Sequence, residues 1–171
     1  LYAMVQRGDG SVPYLGSAAA MSWYSDAIVT LTGAANGTLS SSAVTASGAV
    51  LDLNGHTAVI SAPLSIQGGL TIRDSAGGGV LSASSGAIEV AGGSLTLQSG
   101  TVSTQDGTAI AVSSGSAAIS GGTVEVSAAQ PTGYAVSGTF TFTGGILRAK
   151  DGAHVTDMKV QLPAISDSGD G

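Results

Sequence analysis

Leu70-Thr71-Ile72, Leu95-Thr96-Leu97, Ala117-Ala118-Ile119 and Phe140-Thr141-Phe142 are four renderings of one phrase, in which two apolar residues flank a small one. The last three run on through a glycine turn to a second apolar position: Gly100 and Val102, Gly122 and Val124, Gly145 and Leu147. The period is a little over twenty residues. A repeat of this size marks a solenoid, because one unit is too small to bury its own apolar face and must stack on its neighbours.

Three short strands per coil follow from the alternation of apolar and small polar residues between Gly, Ser, Asn and Asp. The first carries Leu64/Ile66, Ile88/Val90, Ile110/Val112 and Tyr134/Val136. The second carries Leu51/Leu53, Leu70/Ile72, Leu95/Leu97, Ala117/Ile119 and Phe140/Phe142, and the third Val59, Leu81/Ala83, Val102/Thr104, Val124/Val126 and Leu147/Ala149. Strands rising about 3.3 Å per residue, with three short corners, account for a coil of about 22 residues. Gly92-Gly93, Ser99-Gly100, Asp106-Gly107, Gly121-Gly122 and Gly144-Gly145 punctuate the corners. The fold class is therefore all-β, a parallel β-helix. A sandwich of antiparallel hairpins is the structural rival, but it has no reason to repeat its corners in register.

This alignment sets Asp52 beside Thr71 and Asp74 beside Gly55. It gives Leu70, Ile72, Leu95, Leu97, Ile119, Phe140 and Phe142 one inward column, and places Ser82, Ser103, Glu125 and Arg148 in one outward column. Glu125 and Arg148 should then touch on adjacent rungs. The open ends of a solenoid need covers. Tyr2, Tyr14, Trp23 and Tyr24, four of the seven aromatics, lie in a segment without the coil pattern. The expected organisation is an N-terminal cap over 1–26, the β-helix over 27–162, ending in a partial coil with Val155, Met158 and Val160, and a linker over 163–171.

Composition narrows the function classes. The 171 residues are 43% hydrophobic and 9% charged, with net charge −6 and no cysteine. There is no basic patch for nucleic acid, no disulfide or thiolate metal site, and no apolar run of the roughly 18 residues a spanning helix needs. Abundant Ser and Thr with few charges suit a secreted bacterial protein, and the chain reads as a segment of a larger multidomain one.

Val50-Leu51-Asp52-Leu53-Asn54-Gly55-His56-Thr57 resembles the LDLNGHT phrase that opens pectin-lyase-like right-handed β-helix regions in large surface proteins of bacteria, mostly Gram-positive and of gut type. In those proteins an LTI-(T/R)-D phrase and a glycine-rich corner follow, as Leu70-Thr71-Ile72-Arg73-Asp74-Ser75 and Gly77-Gly78-Gly79 do here. Ala27 to Leu31 resembles their entry strand. The resemblance covers residues 27 to 150 and implies a right-handed parallel β-helix, an extracellular or cell-surface location, and a stalk, adhesion or glycan-contact role; it does not imply an enzyme.

The chemistry-bearing residues are sparse. Lyases on this fold gather carboxylates around Ca²⁺ beside a basic residue, and glycosidases pair Asp residues on neighbouring coils. Here Asp52 and Asp74 occupy different columns, Glu89 and Glu125 different strands, and His56 and His154 stand about four coils apart. The expectation is no catalytic residue, metal or cofactor. Gly77-Gly78-Gly79 lacks the following Lys of a phosphate cradle and reads as a corner; Asn36-Gly37-Thr38 fits a glycosylation sequon but reads as a turn. Trp23 and Tyr24 are the candidate ligand-binding residues, as a sugar-stacking platform, against the plainer reading that they pack over the solenoid end. An outward column of Asp52, Thr71, Thr96, Ala118 and Thr141 is too narrow and too interrupted for an ice-binding face. A stiff spacer or display platform is the leading reading, with host or bacterial glycans or surface proteins as partners. A carbohydrate-binding module is the alternative, and a polysaccharide lyase or hydrolase remnant a more distant one.

Overall fold

A computed structural model of the chain describes residues 1–157 and 160–162. The expected linker over 163–171 and Met158 of the last partial coil lie outside the described residues. The chain opens with strands β1 (Tyr2–Arg7) and β2 (Tyr14–Ser17), followed by a short 3-10 turn at Ala18–Ala20. Coils then begin with β3 (Ala27–Thr32) and β4 (Gly37–Thr38), and continue through β5 (Ala49–Asp52), β6 (Thr57–Val59) and β7 (Leu64–Ile66). The middle holds β8 (Gly69–Arg73), β9 (Val80–Ser85), β10 (Ile88–Leu97), β11 (Thr101–Asp106), β12 (Ile110–Ile119) and β13 (Thr123–Val126). Strands β14 (Val136–Ser137), β15 (Phe140–Phe142), β16 (Ile146–Ala149) and β17 (Val160–Gln161) complete it. Among the described residues, the pairings of β3 with β5 and of all later strands with one another are parallel, and the stack makes a β-solenoid of about six turns.

Three faces result. The first strand of each coil supplies one face, in which Leu64, Ile88, Ile110 and Val136 lie side by side. The second and third faces follow β3-β5-β8-β10-β12-β15-β17 and β4-β6-β9-β11-β13-β16. In β10 and β12 the first two faces are joined by one ten-residue strand that bends at a bulge near Ala91. A bulge inserts unpaired chain and kinks the ladder, so it turns the corner without leaving the sheet.

Side-chain size sets the packing. On the second face two inward stacks run in parallel, one of Ala49, Leu70, Leu95, Ala117 and Phe140, the other of Leu51, Ile72, Leu97, Ile119 and Phe142. The single inward column expected from sequence is therefore two, and all members are buried except Phe142, which is half-buried. Phe140 follows Ala117 in its stack, so a large ring occupies the room left by a methyl group. Burying each Leu or Ile contributes about 1.5–3 kcal/mol.

The sequence alignment needs three corrections. Leu51 stands beside Ile72, not Leu70, which puts Asp52 beside Arg73 and Val50 beside Thr71. Ile110 pairs with Val136 rather than Tyr134, because the corner between Val126 and Val136 is longer than its counterparts. Val59 points out and is 46% exposed, while Ala58 fills the inward place beside Leu81. A shift of two residues preserves the alternation of faces, which is why the first two displacements left no trace in the apolar pattern. The third strand is otherwise as read: Glu125 pairs with Arg148, and Arg148 Nη1 donates to Glu125 Oε2 at 3.3 Å.

Glycine makes the corners tight. A Cβ on Gly93 would sit 2.2 Å from the Gly68 carbonyl oxygen, and one on Gly115 2.1 Å from that of Gly93. Backbone rides on backbone along this edge, and Gly115 also has φ +87°, a region L side chains avoid.

The first 26 residues lie against the start of the stack. Strand β1 runs antiparallel to β3 and β2 antiparallel to β1. Ala3, Val5, Ala18 and Met21 are buried in the core of the first coil, with Tyr14, Trp23 and Tyr24 packed against it. The Ala18 carbonyl accepts from Ser40 N at 2.9 Å, tying the 3-10 turn to the third face.

Candidate functional site

Chemistry-bearing side chains concentrate where the second face turns into the third, at Asp52-Leu53-Asn54-Gly55-His56 and Arg73-Asp74-Ser75. Strand β5 delivers Asp52 to the corner, and Asn54 (φ 48°) and Gly55 (φ 78°) turn the chain. Asn is one of the few side-chain-bearing residues that adopts the left-handed region readily, and here its side chain also anchors the turn. Asn54 Nδ2 donates to the Leu31 carbonyl at 3.1 Å, and its oxygen accepts from Ser75 Oγ at 3.3 Å.

Asp52 is 3% exposed. Its Oδ1 accepts from Asn54 N at 2.9 Å, Ser75 N at 3.0 Å and Ser75 Oγ at 3.1 Å, and its Oδ2 accepts from Arg73 Nε at 3.2 Å. Burial pushes the Asp52 carboxyl up, but the donors from Ser75, Asn54 and Arg73 outweigh it and hold the group below the usual carboxylate range. Asp74 accepts from Gly55 N at 2.8 Å through Oδ1 and from Gly79 N at 2.7 Å through Oδ2. His56 Nε2 meets the Gly33 carbonyl at 2.7 Å, which makes that nitrogen the donor, and Asn36 Oδ1 accepts from Thr57 N at 2.8 Å. Each carboxylate thus binds backbone amides of its own or the neighbouring coil. The donors around Asp52 favour its ionised form, and with the two amides bound by Asp74 they close the corner.

The register correction brings Asp52 and Arg73 together, a pair the sequence alignment had separated. His56 and His154 are not brought together. His154 Nδ1 meets Asp151 Oδ2, and its ring lies 5.4 Å from that of Tyr134. Glu89 accepts from Ser113 Oγ at 3.3 Å. Gly77 and Gly78 have φ of +83° and +80° and open space where a side chain would be, as an exposed corner requires. Among the described residues no group of three or more His, Asp or Glu is arranged to hold a metal ion, and no cleft opens on the surface.

Trp23 and Tyr24 are both half-buried against the core, and the Arg7 guanidinium carbon sits 5.5 Å from the centre of the Tyr24 ring. The Trp23 indole nitrogen is buried without a hydrogen-bond partner. On the second face the corrected outward column reads Val50, Thr71, Thr96, Ala118 and Thr141. Sequence reasoning missed two polar fasteners at the third corner. Thr104 is fully buried; its hydroxyl accepts from Gly86 N at 2.8 Å and donates to the Asp106 carbonyl at 2.6 Å. Asp106 Oδ1 accepts from Thr132 N at 2.8 Å and Thr132 Oγ1 at 3.1 Å; backbone donors from Thr132 and Gly107 lower its carboxyl despite an opposing effect of burial. The available signal was Thr104 itself, a hydroxyl in an inward column that otherwise holds Ala83, Val126 and Ala149.

No protein-family model, no curated protein and no solved structure matches this chain significantly.

Proposed function

We propose that the chain is a non-enzymatic spacer or display module of a secreted or cell-surface bacterial protein. The observation that carries this reading is the saturation of its polar corner, where Asp52 and Asp74 engage amides of the fold rather than facing solvent as a reacting pair. About six coils at about 4.8 Å each give a rod on the order of 30 Å, stiffened by parallel ladders on three faces. The LDLNGHT resemblance supports the surface location.

The test has two arms. Saturable binding on an array of plant, bacterial and host glycans, weakened by Trp23→Ala, would replace the spacer reading with the carbohydrate-binding one. Release of unsaturated or reducing ends from pectins, with or without Ca²⁺, would replace it with an enzyme. The expected result is neither. In a surface-displayed fusion, exchanging residues 27–150 for an unrelated solenoid of equal length should leave the reach and function of a terminal binding domain unchanged.

A further inference from the structure

Strand β2 ends the second face, and its outer edge has no strand partner among the described residues. The phase of its ladder is fixed by Ala18 N donating to the Leu1 carbonyl at 3.1 Å, together with the register Tyr2–Ser17 and Met4–Leu15. In an antiparallel pair, residues alternate between exchanging bonds with the neighbour and turning away from it. Leu15 and Ser17 are the ones that turn away, so their N–H and C=O groups line the open edge. Leu15 is 71% exposed, and Tyr14 to Ala20 contains no charge. Natural sheet edges are usually blunted by charges, prolines or bulges; none lies within this strand.

One device does lie across it. The Tyr14 hydroxyl donates to the Ser17 carbonyl at 2.7 Å, and a Cβ on Gly16 would be 3.0 Å from the Tyr14 oxygen and 3.2 Å from Cζ. The ring therefore runs along the strand beneath Gly16 and covers the outermost acceptor of the edge.

We infer that Tyr14 is an edge lock, and that the partner it excludes is the β2 edge of a second copy of this chain. Two copies related by a two-fold axis through Gly16 place Leu15 opposite Ser17 of the other copy. All four outward groups of each strand are then matched. Such a contact is self-complementary by symmetry, and the strand's own copy supplies an unpaired edge of the right phase. The absence of a side chain at Gly16 permits close approach at the axis. Each Ser17 carbonyl is already engaged by the Tyr14 hydroxyl of its own copy, so the pairing forms only when that bond is given up.

The test is molar mass by light scattering over a concentration series of the 171-residue chain, with circular dichroism to confirm folding. The wild type should remain monomeric. Tyr14→Ala, and Tyr14→Phe where only the hydroxyl is lost, should dimerise at a concentration roughly tenfold or more below any wild-type association, in keeping with freed edge hydrogen bonds. Adding Leu15→Lys to either variant should restore the monomer. A folded Tyr14→Ala that stays monomeric overturns the inference, as does a wild type that is already dimeric or a dimer indifferent to Leu15→Lys. Should Tyr14→Ala fail to fold, a monomeric Tyr14→Phe overturns it equally.

Discussion

Replacing Gly115 by alanine tests whether the solenoid is held at its corners by backbone stacked on backbone. The new Cβ would lie 2.1 Å from the Gly93 carbonyl oxygen and 2.9 Å from Gly92 C and Gly93 N. That is about 1 Å inside any tolerable contact, in a stack whose rungs are only about 4.8 Å apart. Relief requires the two coils to part locally, which weakens the ladder between β10 and β12. The positive φ costs about 1–2 kcal/mol for a residue with a Cβ, and forced overpacking about 1–3 kcal/mol more. The sum, about 2–5 kcal/mol, is a large share of the 5–15 kcal/mol typical of a domain, and lowers Tm by roughly 4–20 °C. Gly78→Ala is the matched control: it shares the strain, with φ +80°, but has nothing within 4 Å of its Cβ. It should lose only about 1–2 kcal/mol. Urea titrations followed by circular dichroism would measure both. Equal losses would show that conformation alone, and not coil-to-coil contact, explains the corner glycine.

Leu97→Asp places a carboxylate in the inward stack between Ile72 and Ile119 and should abolish cooperative melting; a soluble variant with an unchanged melting curve would refute the inward assignment. Asp52 has a folded pKa below the ordinary value of 3.8, so its contribution is complete above about pH 5 and is lost as the pH falls through the depressed folded value. Asp52→Asn should therefore cost about 1–3 kcal/mol at neutral pH and much less at pH 2, a convergence visible in urea midpoints at the two pH values. Deleting residues 1–26 uncovers β3 and the apolar end of the first coil and should produce oligomers or aggregate on size exclusion; a monomer with unaltered melting would show that the segment covers nothing of consequence.

The architecture was legible because its cause is local and repeated. Apolar residues two apart, glycine at the turns and a recurring period together leave few alternatives to stacked coils, and Glu125 with Arg148 could be placed on adjacent rungs from that pattern alone. What escaped was register where corners change length. Shifting β5 by two residues keeps Leu51 and Leu53 on the inward side, so the apolar pattern sets Asp52 beside Thr71 and hides its ion pair with Arg73. Thr104 was hidden in a different way: its position marked it as inward, but only the closeness of Gly86 N and the Asp106 carbonyl explains a buried hydroxyl. The N-terminal aromatics announced a segment unlike the coils, whereas the antiparallel laying of β1 on β3 has no periodic signature in the sequence.

The unequal corner between the third and first faces carries a practical consequence. Ala83 and Ile88 are five residues apart and Thr104 and Ile110 six, yet Val126 and Val136 are separated by ten. The next rung still finds its place, with Ile110 beside Val136. Extra chain has been absorbed sideways, and the Asp106 clamp on Thr132 returns it to the stack. Ala129 and Gln130 are exposed at the tip of this detour, while Pro131 and Gly133 are buried. A foreign peptide spliced between Ala129 and Gln130 would leave the stack at one known coil, as a shelf bracket leaves an upright. The solenoid thus offers a graduated mast on which an epitope or enzyme could be mounted at one chosen coil without retuning the others.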